Sequence, residues 1–214
     1  MIFVSYYTGN GNYPALAEQL GASLRKFNLP HAILKVKDHA DWQAAADAKP
    51  QFIIHQLCRY RRPVVWLDVD TEIVQLPHLL YQTVHDFAVY NWHADAHNPL
   101  AFPYDPHRLT CSGGVIQFGY TAAAMELLLR WSDKTGKHGL HDDVALDAAF
   151  NDADRPPVHP LWLPRAYNRM TGMFKDNPVI DHHYTAGKHG IERQQGDTDE
   201  RHAQAESGSG CVPA

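Results

Sequence analysis

Apolar positions along the chain change period several times, and each change predicts an element. Residues 2–7 form a short apolar run, broken by Thr8-Gly9-Asn10-Gly11-Asn12. After it Leu16, Leu20, Ala22, Leu24 and Phe27 recur at three- and four-residue spacing. That pattern predicts a strand, a glycine-containing loop and a helix over 13–27, with Asn28 as its stop. Residues 31–36 then alternate as a second strand. The resulting βαβ opening puts the loop at the edge of a sheet where open α/β folds bind ligands. The loop matches neither the GxGxxG nor the P-loop pattern, so it specifies no particular nucleotide.

The next run is the one around which the chain is organised. Val64-Val65-Trp66-Leu67 is wholly apolar and leads directly into Asp68-Val69-Asp70, followed by a second short apolar run. A buried parallel strand that delivers two carboxylates to the ligand edge has this appearance. In the turn leaving the strand the two acids can converge on one hard divalent cation.

Before that strand the pattern predicts a short Ala-rich helix over 41–48. A second helix begins at Lys49-Pro50, carries Phe52, Ile53, Ile54 and Leu57, and ends in the basic cluster Arg59-Tyr60-Arg61-Arg62. After the strand it predicts a helix over 76–84, a strand over 87–92 and a long polar surface loop over 93–108. Gly113-Gly114 sit where another strand begins, a place for close approach or a bulge. Thr121 caps a helix bearing Met125, Leu128, Leu129 and Trp131. His141-Asp142-Asp143 opens an amphipathic segment over 144–150, acids favoured at a helix N-terminus in any case. An extended Pro- and Trp-bearing stretch over 156–164, a loop over 167–174 and a short strand over 178–184 ending in histidines complete the ordered pattern. After Gly190 almost nothing is available to bury, so the expected domain is 1–190 with a polar, disordered tail over 191–214.

Composition narrows the possibilities. The chain has 214 residues, 44% hydrophobic and 20% charged, as expected of one ordinary globular domain; the pattern above makes it α/β. Its 19 basic and 24 acidic residues create no global basic field for nucleic acid or membrane. The 191–214 tail holds five acidic against two basic residues, so the body is nearer neutrality, and Arg59 to Arg62 is the one candidate for a local basic groove. No stretch reads as a signal peptide or a membrane span, from which a cytoplasmic location is expected. Cys58, Cys111 and Cys211 suggest neither a disulfide framework nor a zinc site, and the first two are expected to be buried thiols.

Taken in order, these motifs resemble those of the GT-A nucleotide-diphospho-sugar glycosyltransferases, especially the glycogenin-like and bacterial galactosyltransferase-like members. The resemblance covers about residues 1–190. It rests on Tyr7-Thr8 and Asn12-Tyr13, the Lys49-Pro50 helix, Asp68-Val69-Asp70, Ser112-Gly113-Gly114-Val115 before a Trp-bearing helix, Asp142-Asp143 and His183.

What the resemblance implies is a mostly parallel sheet flanked by helices and a metal-dependent transfer of a sugar from a nucleotide-diphosphate donor, a UDP-sugar, to a hydroxyl acceptor. The acceptor is a glycan, a lipid-linked glycan, a protein or a modified DNA base, nucleic acid entering only in that role. Mn²⁺ or Mg²⁺ would be held by Asp68, Asp70 and His183. Adjacent histidines on a strand face opposite ways, so only one of His182 and His183 should reach the ion. Tyr7, Thr8, Tyr13, Lys49, Asp68 and Lys188 would contact the donor, and Asp142 and Asp143 would lie at the reacting sugar and acceptor. The chain departs from the family pattern at Gly187, four residues after His183; at His189-Gly190, where relatives have Pro-Trp; and at Asp143, where relatives have Gln. The last leaves retention or inversion open. Two other interpretations are a haloacid-dehalogenase-like phosphatase, which wants Thr or Val where this chain has Glu72, and a non-catalytic nucleotide- or metal-binding module.

Overall fold

The computed structural model describes residues 1–37, 39, 42–82, 84–135, 141–155 and 157–183. Lys188 and the 191–214 tail lie outside the described residues. The opening is the expected βαβ unit: β1 (Ile2–Tyr7), α1 (Tyr13–Lys26) and β2 (His31–Lys35), with β1 and β2 parallel. Asn28 ends the helix turn in a left-handed conformation, φ 53°, which Asn tolerates better than most residues. α2 (Trp42–Asp47) and α3 (Lys49–Tyr60) lead into β3 (Val64–Leu67), which pairs in parallel with β1.

β4 (Thr71–Ile73) follows the acidic turn, and β5 (Phe87–Asn91) and β6 (Cys111–Phe118) complete the middle of the sheet. β6 is antiparallel to both neighbours, while β7 (Pro160–Trp162) adds parallel to β5. The six-stranded sheet therefore runs β2-β1-β3-β6-β5-β7, with β6 alone reversed.

Alternation along the strands divides the core into two layers. Ile2, Val4, Val64, Trp66, Ile116 and Phe118 face α3, α4 (Ala122–Lys134) and α5 (Asp142–Asn151), where Trp131 stacks on Phe118 with ring centroids 6.1 Å apart. Phe3, Val65, Leu67 and Val115 face the other way, onto Leu20 and Leu24 of α1. That second face is also covered by a sheet the hydrophobic pattern does not predict: β4, β8 (Arg169–Met170) and β9 (Ile180–His182), in the order β4-β9-β8. Of its strands, β9 realises the one expected over 178–184, whereas β4 and β8, three and two residues long, are too short to display a period.

Several local expectations are corrected. Where the pattern predicts a helix over 76–84, the described residues 76–82 form a 3₁₀ turn over His78–Tyr81, and the backbone is extended again at Gln82. The expected 167–174 loop begins inside the 3₁₀ turn Arg165–Asn168 and includes strand β8. Cys58 is exposed, Cys111 buried. Ala22 faces solvent, as does Leu129, 53% exposed, because α4 buries Ala124, Leu127, Leu128 and Trp131 instead. Thr121 does cap α4, its hydroxyl accepting from the Ala124 amide at 3.1 Å. The basic cluster ends α3 and precedes β3, at the opposite edge of the sheet from the acidic turn, with the Arg59 and Arg62 guanidiniums against the Tyr60 ring. Among the described residues no helix is long and apolar enough to cross a membrane.

Candidate active site

The apolar strand β3 ends in a tight turn made by the acidic motif itself. The Asp68 carbonyl accepts from the Thr71 amide at 3.1 Å and from its hydroxyl at 2.7 Å, and the Asp68 amide donates to the Gly114 carbonyl of β6 at 2.9 Å. The Trp66 indole donates to the Asp68 carboxylate at 2.8 Å, fixing its direction. Asp70 is 8% exposed.

A histidine reaches this turn through the small sheet. Thr71 pairs with His182 across β4 and β9, and the His183 amide donates to the Asp70 carbonyl at 3.1 Å. This register turns His182 inward: its Nε2 lies 3.1 Å from Asp70 and 3.8 Å from Asp68. His183, the residue expected from the motif order, faces the other way and pairs with Glu72 at 3.1 Å. The correction has a simple cause. Alternation allows one of the two histidines to reach the acids, and the β4 register chooses which, but β4 is not legible as a strand.

Ligand atoms of Asp68, Asp70 and His182 lie within 4.8 Å of one another. Two hard carboxylate oxygens with an imidazole nitrogen fit a divalent first-row cation such as Mn²⁺, and suit Mg²⁺ less well. The buried groups bias one another. Burial alone would raise the Asp70 carboxyl, yet the facing His182 holds it below its ordinary range. Burial would lower His182, but Asp70 and then Asp68 hold it above its usual value.

Lys49 occupies the other flank. Its ammonium is buried between Asp142, at 2.5 Å, and Asp68, at 3.2 Å, and lies 5.3 Å from the centroid of the Trp66 ring. Desolvation opposes its charge, but Asp142, Asp68 and Asp143 outweigh it and keep the ammonium protonated well above its ordinary range. Asp142 and Asp143 open α5, whose entry is fixed by the Trp131 indole donating to the Asp142 carbonyl at 2.8 Å.

The glycine pair is explained by these neighbours. A Cβ on residue 113 would lie 2.1 Å from the Asp143 carboxylate, and one on residue 114 would lie 2.4 Å from His182 Nδ1 and 2.9 Å from Asn168 Oδ1. Both alternatives suggested by the sequence are present: the protein's own side chains approach closely, and the β5–β6 register shifts across this stretch, from Ile116 opposite Val89 to Ser112 opposite Tyr90. The pair lies inside a fully buried strand rather than at its start. Gly114→Ala should therefore force the packed imidazole aside at a stability cost of about 1–3 kcal/mol. Mn²⁺ titration and thermal melting check it; unchanged metal affinity would show that His182 tolerates displacement.

The structure thus brings Lys49, Asp68, Asp70, Asp142 and Asp143 together and adds His182 and Asn168. Asn168 gave no sequence signal, being one polar residue in an irregular Pro- and Arg-bearing stretch. Tyr7, Thr8 and Tyr13 stand where β1 gives way to α1, at the same sheet edge as the acidic turn because β1 and β3 are parallel neighbours. Tyr7 and Tyr13 are half-buried; Thr8 donates to Asn10 Oδ1 at 2.5 Å, and Gly11, at φ 58°, permits the turn into α1.

No protein-family model matches the sequence, and no curated protein matches it. In three dimensions the chain is similar to a glycosyltransferase involved in glycosylation of the major capsid of PBCV-1, with a TM-score of 0.64, 93% of this chain and 98% of that chain covered, and 10% identity. Galactosyltransferase LgtC, solved with donor and acceptor sugar analogs, aligns over 86% of this chain and 87% of its own at a TM-score of 0.49 and 10% identity. It is the first of these likenesses that bears on architecture: the chain has a GT-A-like α/β fold, with its acidic turn at the carboxyl edge of the mostly parallel sheet.

Proposed function

We propose that the protein is a metal-dependent glycosyltransferase that moves a sugar from a UDP-linked or related nucleotide-diphosphate donor to a hydroxyl acceptor. The observation that supports this most directly is the meeting of Asp68, Asp70 and His182 beside Asp142 and Asp143 in a glycosyltransferase-like fold. Asp68, Asp70 and His182 would hold Mn²⁺ or Mg²⁺. Such an ion, when bound, offsets the negative charge that grows on a diphosphate leaving group.

The remaining roles belong to the chain's own side chains. Tyr7, Thr8 and Tyr13 would line the nucleotide end, where an aromatic face suits a base. Lys49 pairs with Asp68 and Asp142 and holds both in place. Asp142, neutralised by Lys49 and 5% exposed, is suited to orienting the sugar. Asp143, less buried and poised over Gly113, is the better placed to meet the reacting centre or the acceptor hydroxyl. Lys188 would contact the diphosphate. The acceptor side would be formed by the 93–108 and 157–174 segments, which Arg165 and Asp95 tie together at 2.5 Å. The acceptor is a glycan, a lipid-linked glycan, a protein or a modified DNA base.

A thermal-shift panel of nucleotide diphosphates and their sugars, with and without Mn²⁺, tests this. Saturation at a hundred times the dissociation constant adds about 2.7 kcal/mol to stability, so one nucleotide class should raise the melting temperature, and only with metal present. No shift with any nucleotide would overturn the proposal.

A further inference from the structure

A fully buried carboxamide stands behind the histidine of the candidate metal group. Asn168 is 0% exposed, and among the described residues neither its Oδ1 nor its Nδ2 has a hydrogen-bond partner. Burying an amide in that condition is costly, so the position calls for an explanation beyond packing. The turn that leads to it is held by backbone bonds: the Tyr167 amide donates to the Pro164 carbonyl at 2.8 Å, and the Val179 amide donates to the Ala166 carbonyl at 2.7 Å. The next residues form β8, which pairs with β9 so that Met170 lies opposite His182.

The side chain ends beside His182. The point where residue 114 would carry a Cβ lies 2.9 Å from Asn168 Oδ1 and 2.4 Å from His182 Nδ1, so glycine at 114 lets both atoms approach the same small space. The opposite ring nitrogen, Nε2, faces Asp70 and Asp68. A histidine that ligates through Nε2 carries its proton on Nδ1, and that N–H needs an acceptor to fix the tautomer and the ring plane.

We infer that Asn168 is a positioning residue whose amide oxygen, when a divalent cation binds at Nε2, accepts the Nδ1–H of His182 after a small ring shift or through one water, and so presents the Nε2 lone pair to the ion. This rests on the metal role proposed above for Asp68, Asp70 and His182. Asn168 itself touches neither substrate nor ion. Its effect passes wholly through the imidazole.

Mn²⁺ titration of the full chain, followed by the EPR signal of the free ion, tests the inference. Asn168→Ala should weaken Mn²⁺ binding on the order of 10- to 100-fold. Asn168→Leu, similar in volume but without polar atoms, should weaken it equally while melting no lower than the natural chain, an outcome that separates tautomer control from structural damage. Asn168→Asp keeps an oxygen acceptor and should restore most of the affinity. In a His182→Ala background, Asn168→Leu should change nothing further. Equal Mn²⁺ affinity in the natural chain and Asn168→Leu would overturn the inference, as would a loss that persists without His182. A natural chain that binds no Mn²⁺ would overturn the metal proposal and this inference with it, and that result is recognisable because the variants play no part in it.

Discussion

Asp70→Asn should lower release of nucleotide diphosphate from the sugar donor by at least about 100-fold, equivalent to about 2.7 kcal/mol at the transition state, with the fold intact. The substitution preserves shape and removes one anionic ligand. It also removes the charge that faces His182 at 3.1 Å, but an imidazole can shed its proton and need not remain as a buried unpaired ion. The stability loss should therefore be small beside the loss of turnover. Calorimetric Mn²⁺ binding and donor turnover are the measurements. Chelating the metal from the natural chain should reproduce the variant's rate, and adding metal back should rescue the natural chain alone. Full turnover by Asp70→Asn would remove Asp70 from the proposed ion site.

Lys49→Met should have the larger effect on folding. It leaves Asp142, 2.5 Å from the lost ammonium, without its counter-charge in a site where the lysine and Asp142 side chains are each only 8% exposed. Removing one member of a buried pair costs about 3–5 kcal/mol, mostly through the charge left behind. Urea or thermal melts of the single variant should show that loss. Adding Asp142→Asn removes the stranded charge and should return much of the stability without returning turnover, since both variants lack the lysine beside Asp68. A Lys49→Met protein that melts like its parent would show that the ion pair contributes nothing to the fold.

The parts legible in the sequence were those with local cause. The β1-loop-α1-β2 opening follows from a change of period at Thr8, and β3 from four apolar residues ahead of Asp68. Thr121 and the Asp142-Asp143 helix start are one-residue signals whose partners lie within a turn. The small sheet depends instead on pairing between distant segments, and β8 has only two residues, so no window of sequence displays it. The choice of His182 over His183 was hidden for the same reason: it is decided by Thr71 across the ladder. Gly113 and Gly114 advertised close approach, but only three dimensions identify what approaches, namely Asp143 from α5 and His182 with Asn168 from the far end of the fold.

The ladder between β4 and β9 also sets a timetable. Glu72 and His183, which meet through it, are separated by 111 positions, so while the chain is being synthesised the acids of the β3 turn emerge long before the imidazole that faces them. Through that interval Asp68 has Trp66 and Lys49 beside it, but neither acid has its imidazole. Contacts of such long sequence separation form late and slowly. If these residues hold an ion as proposed, the site is also a checkpoint of completed folding: a ribosome-bound chain with β1, β2 and β3 in place would lack the imidazole until β9 closes over the turn.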